Sequence, residues 1–390
     1  MPLICLVSQE DLLQKRQSEN DYGDITVKVA YWTNSLSPHQ FPLAKAIAEQ
    51  VGEENYRYVY RDAMSQERKD IGWKGIEIPL WCMRGSEDSR ELIEADLVYT
   101  GGLRPLELIE KRIALGKRTY YVTERWFKPI NVMGVNLPGK LRLVVPSYRR
   151  MARRMVEMLN NPLCKCLAIG PWAKKDMQSL GVRPEQIWDC GYYVEESGKW
   201  KVESGKLGAE SVDRTLVNGE SPIRVLWVGR LLKLKRVDTI IRAVGECAKM
   251  RQSGSLPKMI LDIYGIGPEE GRLKKLAVKY GDVIQFHPPV SIDAVRKLMR
   301  EHDVYIFASD SNEGWGAVVS EALEEGMSVI GTYEAGASVA MLPKERLFHS
   351  GDYKALALLL EKECKGELPP CSIGDWTAEK AAKRLIENVR

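Results

Sequence analysis

The chain has 390 residues, of which 44% are hydrophobic and 28% charged, with a formal net charge of +4. That balance fits a globular protein of about two domains and excludes a disordered or collagen-like chain. It also argues against a nucleic-acid binder by bulk charge, and no apolar run reaches the ~18 residues that a membrane span needs.

The opening residues lack a basic leader and turn acidic early, so a cytoplasmic protein is expected. In chain order, the first clear strand is ITVKVAYWT (25–33), followed by the turn-rich NSLSPHQ and a helix over FPLAKAIAEQV (41–51). Apolar runs at ADLVYT (95–100) and KRTYYVTE (117–124) flank a helical stretch, RPLELIEKRIAL (104–115). Strand and helix in this rhythm predict a parallel sheet with crossover helices. In SYRRMARRMVEMLNN, helical spacing puts Tyr148, Met151, Ala152, Met155 and Leu159 on one face and Arg149, Arg150, Arg153 and Arg154 on the other. From 111 to 183, sixteen Lys and Arg face only Glu124, Glu157 and Asp176, so this region presents a basic surface. The helix 147–160 is therefore a candidate contact with an anionic membrane face, although a solvated basic face has the same pattern.

The polar segment 195–222, rich in Gly, Ser and charge, predicts a linker or insertion. A second series follows: strands at IRVLWVGR, KMILDIYG, VIQFH, DVYIFAS and MSVIGT, separated by helices at VDTIIRAVGECAKM, EEGRLKKLAVKYG, SIDAVRKLMREH and VVSEALEEG. This half reads as a doubly wound α/β domain. The expected division is an N-terminal Rossmann-like domain over 1–194, the linker, a second such domain over 223–374, and a terminal helix over 375–390. Sheets of this kind bind ligands at the carboxyl ends of their strands, so two of them imply a shared cleft.

Eight cysteines without C-x-x-C and four scattered histidines give no metal-ligand spacing. Without Asp-x-Asp, neither metal nor cofactor is expected. Chemistry-bearing residues concentrate at strand exits. After IRVLWV, Gly229 and Arg230 are followed by Lys235, and two cations at a sheet mouth suit a diphosphate; the same spacing fits a solvated basic loop. Gly265, Gly267 and Pro268 form a tight turn that lets backbone approach a neighbour, and the third glycine, at 271, is out of step with the dinucleotide fingerprint. SNEGWGAVVSEALEEG carries Glu313 and Glu321 eight positions apart. On the N-terminal side His39 and Glu124 follow strands and are candidates for an acceptor-facing wall, or a turn residue and an ion-pair partner respectively.

The stretches VGRLLKLKRVDTIIRA, LDIYGIGPEEGRLKKLA and DVYIFASDSNEGWGAVVSEALEEGMSVIGT have the order and spacing of the C-terminal half of family 4 glycosyltransferases. The chain resembles that family strongly over 225–335, and TNSLSPHQFPLAKAI, YYVTERW and LAIGPWAKKDMQSLG are similar to its bacterial surface-polysaccharide branch. The resemblance implies a GT-B fold and a retaining transferase that uses a nucleoside-diphosphate sugar. It implies Glu313 on the sugar hydroxyls, Glu321 on the ribose, and Arg230 with Lys235 on the diphosphate, making Arg230, Lys235 and Glu313 the catalytic set. Gly229, Gly265, Gly267, Gly314, Trp315 and Gly316 complete the donor-binding set, with the Trp315 ring open to stacking on a sugar or filling the loop core. The implied acceptor is a glycan, lipid-linked at the membrane. A non-catalytic nucleotide-sugar-binding subunit and a nucleotide-sugar epimerase use the same scaffold. The sequence departs from the family where Arg236 replaces a glycine, where Gly265-Ile266-Gly267 replaces Gly-Asp-Gly, and at YEAGASVAM (333–341).

Overall fold

The computed structural model describes residues 27–63, 77–101, 106–132, 135–195, 222–252 and 256–389. Most of the expected linker, 196–221, lies outside the described residues, as does the start of the first expected strand.

The N-terminal sheet is built from strands β1 (Val29–Ser35), β2 (Tyr56–Asp62), β3 (Cys82–Arg84), β4 (Leu97–Gly101), β5 (Arg118–Thr123), β8 (Cys164–Ile169) and β9 (Ile187–Cys190), in the order β3-β2-β1-β4-β5-β8-β9. Every pairing in it is parallel. A small antiparallel ribbon, β6 (Ile130–Val132) with β7 (Val135–Leu137), leaves the sheet after β5. The crossovers include α1 (Phe41–Val51), α2 (Arg90–Glu94), α3 (Leu106–Ala114), α4 (Pro146–Leu159) and α5 (Gly170–Leu180). In α4 the buried residues are Ala152, Met155, Met158 and Leu159, and Arg149, Arg150, Arg153 and Arg154 are exposed, as the helical spacing predicts.

The C-terminal sheet has β10 (Ile223–Val228), β11 (Met259–Tyr264), β12 (Ile284–His287), β13 (Val304–Phe307), β14 (Ser328–Thr332) and β15 (Leu347–Phe348), ordered β12-β11-β10-β13-β14-β15. This is the doubly wound order, all parallel. Its helices are α6 (Val237–Gln252), α7 (Glu270–Ala277), α8 (Ile292–Glu301), α9 (Val318–Glu324), α10 (Gly336–Met341) and α11 (Tyr353–Cys364). Central strands such as β13 are buried on both faces, which explains their unbroken apolar runs. The terminal helix α12 (Ala378–Glu387) packs against α1, on the N-terminal domain. No described helix is long and apolar enough to cross a membrane.

Two buried charges anchor the sheets. Arg112, fully buried, donates to Thr119 Oγ1 at 2.9 Å and to the carbonyls of Ala95 and Arg118 at 3.0 and 2.8 Å. Burial holds its guanidinium down at about 10, and the backbone acceptors replace its lost water. In β11, Asp262 receives Arg224 at 2.8 Å, His287 at 2.6 Å and His302 at 3.1 Å. Burial alone would raise its carboxyl, but these hydrogen bonds more than offset that and hold it well below the usual range. A carboxyl depressed on folding stabilises the fold above its unfolded pKa of about 3.9, and that stability is lost as pH falls toward the folded value. Asp262→Asn is therefore expected to cost about 3 kcal/mol at pH 7 and to flatten the decline in stability below about pH 4, read as urea midpoints across pH.

Candidate active site

Every candidate residue lies at or just beyond the carboxyl end of a parallel strand, or on the helix that follows. On the C-terminal side, the exit from β10 supplies Gly229 and Arg230, and Lys235 ends a short 3-10 turn before α6. The exit from β13 supplies the loop that carries Glu313 and leads into α9, where Glu321 stands in the first turn. On the N-terminal side, His39 follows β1, Glu124 follows β5, and Gly191 and Tyr192 follow β9.

The loop geometry explains the glycines. A Cβ at Gly265 would lie 1.9 Å from the Gly229 carbonyl oxygen, and one at Gly267 would lie 2.5 Å from that of Leu231. The exits from β10 and β11 thus press backbone to backbone, with Leu231 N–H donating to the Ile266 carbonyl at 2.9 Å. What these glycines admit here is the adjacent loop. Gly316, at φ 94°, has the Phe307 ring 2.5 Å from where its Cβ would be. At Gly314 the obstacle comes from the other domain, since a Cβ there would meet Glu124 Oε2 at 2.6 Å.

Lys235 Nζ and Glu313 Oε2 form an ion pair, with the two side chains 24% and 17% exposed. The ammonium also lies 5.8 Å from the centroid of the Phe307 ring. Two candidates separated by 78 residues are therefore in direct contact. Arg230 is exposed at the mouth of the sheet, beside the loop junction just described.

Glu321 lines a cavity of about 480 Å³ between the domains. Across it stand His39, Tyr192, Tyr193 and Glu195, and its C-terminal wall includes Val295 and Arg296 of α8. Burial pushes the Glu321 carboxyl up, partly opposed by the Arg296 charge. The Arg296 guanidinium is itself fixed to the Glu321 carbonyl at 3.2 Å and to Glu325 at 3.3 Å.

Glu124 accepts from the Tyr192 hydroxyl at 2.8 Å and from Lys128 at 3.2 Å. Burial and then the Glu124 charge push the Tyr192 hydroxyl upward, so it stays a protonated donor. Tyr192 also spans the domains, its carbonyl accepting from Ser320 Oγ at 3.2 Å, one residue from Glu321. His39 faces the Tyr192 ring with centroids 6.0 Å apart. The sequence reading missed Tyr192, Lys128 and Arg296. The strand before Tyr192, IWDC, is only four residues long, and Arg296 lies inside a helix and not at a strand exit.

Of the two fates open to the Trp315 ring, filling the core is the one observed. Its side chain is 1% exposed and packs on Trp376 with centroids 5.3 Å apart, so the ring does not face the cleft for stacking on a sugar. Among the described residues, no group of three His, Cys, Asp or Glu side chains is placed to hold a metal ion.

Residues 210–390 match the family model described as Glycosyl transferases group 1. Over 115 residues, 29% of this chain, it is 31% identical to the GtfA subunit of a UDP-N-acetylglucosamine–peptide N-acetylglucosaminyltransferase from Streptococcus pneumoniae, and that match spans 21% of the relative's length. Among solved structures, HepE of Anabaena in complex with UDP and glucose superposes with a TM-score of 0.59 at 14% identity, covering 93% of this chain and 99% of that one. The lipopolysaccharide outer core galactosyltransferase WaaB, in its apo form, superposes with a TM-score of 0.61 at 12% identity, covering 93% and 99%. At such identities the structural likenesses speak for the fold. Two all-parallel domains with their strand ends around one cleft, and a family match over the second, lead to one conclusion: the chain has the GT-B architecture, and its residues 210–390 are similar to the glycosyl transferases group 1 family.

Proposed function

We propose that this protein is a retaining glycosyltransferase that moves a hexose-type residue from a nucleoside-diphosphate sugar to a glycan acceptor, lipid-linked, in surface polysaccharide synthesis. The observation that carries this reading is the convergence of Lys235, from the exit of β10, with Glu313 and Glu321, from the exit of β13, onto one side of a cleft whose other wall presents His39, Glu124 and Tyr192. The match of residues 210–390 to group 1 glycosyltransferases supports it, as does the likeness to HepE, whose structure contains UDP and glucose.

In this reading Glu321 accepts the two ribose hydroxyls and Glu313 accepts hydroxyls of the donor sugar, since one carboxylate can take two such protons. Arg230 and Lys235 hold the diphosphate. As the bond from the sugar C1 to the phosphate oxygen breaks, negative charge gathers on the leaving group, and fixed cations stabilise that state more than the ground state. The acceptor oxygen bonds to C1 on the face the phosphate leaves, and its proton passes to a departing phosphate oxygen. Charge balance is then complete without a metal or cofactor. On the acceptor side, His39 and the Glu124–Tyr192 pair orient the incoming hydroxyl. The protein would work in the cytoplasm at the inner membrane face. There exposed Arg149, Arg150 and Arg153 lie near the exposed apolar Leu141, Val144 and Val145.

The first test is a thermal-shift and calorimetry panel of UDP, GDP, ADP and their sugars. Stabilisation by one nucleotide is expected, because a ligand of the native state raises apparent stability, and no shift from any of them would overturn the donor reading. Arg230→Ala should lower turnover by about 100-fold or more in a folded protein, and wild-type rates would remove its role. Glu321 binds hydroxyl donors as the carboxylate, and burial raises its pKa, so nucleotide affinity should weaken on acidification above the ordinary glutamate range of about 4.3. Glu321→Gln should flatten that dependence, measured by calorimetry across pH. Replacing Arg149, Arg150 and Arg153 together by Glu should abolish sedimentation with vesicles rich in phosphatidylglycerol while leaving nucleotide binding unchanged; unaltered sedimentation would remove the membrane contact.

A further inference from the structure

The loop between β13 and α9 carries Glu313 near its middle, and two residues on, the side chain of Trp315 is buried against both domains. The partners of that indole decide what the loop can do. The ideal Cβ position at Gly191, just past β9, lies 2.5 Å from Cζ2, 2.8 Å from Cη2 and 3.0 Å from Cε2 of Trp315. The Cβ position at Gly170, which opens α5 at φ 83°, lies 3.2 Å from Cε3 and Cζ3. Both glycines belong to the N-terminal domain, each directly after a strand of its sheet. On its own domain the ring meets Gly336, and beyond it lies Trp376, which stacks on Tyr193 with centroids 6.1 Å apart. The indole Nε1 is buried and makes no hydrogen bond. Leaving a donor unpaired inside protein costs on the order of 1–3 kcal/mol, so the position is held by shape.

The rest of the loop is gripped from both domains as well. Glu124 presses on Gly314 from the N-terminal side, Phe307 on Gly316 from below, and Ala337 N–H donates to the Trp315 carbonyl at 3.0 Å. Arg125 of the N-terminal domain reaches the Ser311 carbonyl at 3.4 Å. Glu313 lies between these fixed points, two residues from the indole.

We propose that Trp315 is a positioning residue: its indole is a peg from the donor loop that seats in a notch formed by Gly170 and Gly191 of the other domain, so that the loop around Glu313 is fully ordered only when the two domains are closed. The assignment of Glu313 to the donor sugar rests on the function proposed above; the peg and notch do not. The arrangement makes loop order a readout of domain closure. A donor bound to the open protein would find its ribose and diphosphate contacts formed and its sugar contact loose, which withholds turnover until the acceptor-bearing wall has arrived.

The test begins with a change on the notch that leaves the donor loop intact. Gly191→Ala puts a methyl group against Cζ2 and Cη2, atoms that the shorter ring of Trp315→Phe withdraws. Hydrogen exchange of the unliganded protein should show protection across 311–318 falling by about tenfold in Gly191→Ala, with the β10, β11 and β13 amides unchanged. The double variant should recover most of it, a coupling expected of two groups in contact. With UDP and UDP-glucose as probes, Gly191→Ala should keep its UDP affinity within about threefold and lose about tenfold or more of its UDP release from UDP-glucose. Unchanged protection of 311–318 in Gly191→Ala would overturn the proposal, as would a double variant whose defects simply add. If the wild-type protein neither binds UDP nor turns over, the transferase reading falls, and the exchange experiment still decides the peg and notch.

Discussion

The architecture depends on the return of the chain to its first domain. After the C-terminal sheet is complete, α12 packs against α1 on the N-terminal domain, burying Ala378, Ala381, Ala382, Leu385 and Ile386. Arg384 donates to the Asp189 carbonyl at 2.6 Å and to the Tyr193 hydroxyl at 3.2 Å. Arg118 reaches the Val389 carbonyl at 3.1 Å, and Val194 pairs with Thr377 where the chain passes between domains. Each fully buried leucine or isoleucine contributes about 2 kcal/mol, so this helix is a substantial tie. It keeps the carboxyl ends of two independent sheets facing each other, and a cleft with chemistry on both walls requires that. By contrast, interdomain polar contacts near the cleft, such as Trp172 Nε1 to the Tyr333 carbonyl at 3.1 Å, are single hydrogen bonds of about 1 kcal/mol. A strong tie at one end and weak contacts at the other is a geometry suited to hinge motion.

Within the cleft, three of the candidate charges are paired with the protein's own side chains. Lys235 and Glu313 neutralise each other, and Glu124 is held by Tyr192 and Lys128. In the function proposed above, a diphosphate that recruits Lys235 would separate it from Glu313, which would then need new donors, and sugar hydroxyls would supply them. The two events are linked by electrostatics: either half of the ligand alone leaves a partly buried charge unpaired, which is costly, and a complete nucleotide sugar satisfies both. Such linkage favours the intact donor over the free nucleotide without any dedicated contact to the bond between them.

Much of this was legible in the sequence, unevenly. The C-terminal strands and helices follow the predicted runs closely because buried parallel strands are continuous apolar segments bounded by glycine and charge. β2 was missed: YRYVYRD carries two arginines and a flanking acid, and its tyrosines, buried in the structure, look amphipathic in sequence. β9, IWDC, is only four residues long, too short for periodicity to register, and with it went the exit loop holding Gly191 and Tyr192. Glu313, Glu321, Arg230 and Lys235 were legible as candidates because they follow recognisable strands and match the spacing of the family the chain resembles. Tyr192 and Arg296 were not, because their importance comes from what lies across the cleft, and no local pattern encodes a neighbour from another domain.

The glycines carry the same lesson in a sharper form. A glycine-rich loop invites one explanation, that backbone must approach a ligand. Here Gly265 and Gly267 are required by the backbone of the next strand exit, Gly316 by Phe307 behind it, and Gly314 by a carboxylate from the opposite domain. These constraints come from the protein's own neighbours, so they belong to folding and domain contact before they belong to binding. The two demands converge because a loop trimmed of side chains to fit between neighbours also leaves its amides uncovered. Arg236 shows the converse. It takes a left-handed conformation, φ 48°, at a cost of about 1 kcal/mol for a residue with a Cβ, and its side chain bonds Asp238 at 3.2 Å, an interaction that glycine could not make. Where no neighbour crowds the backbone, the chain can keep a side chain at a glycine-like position and put it to structural use.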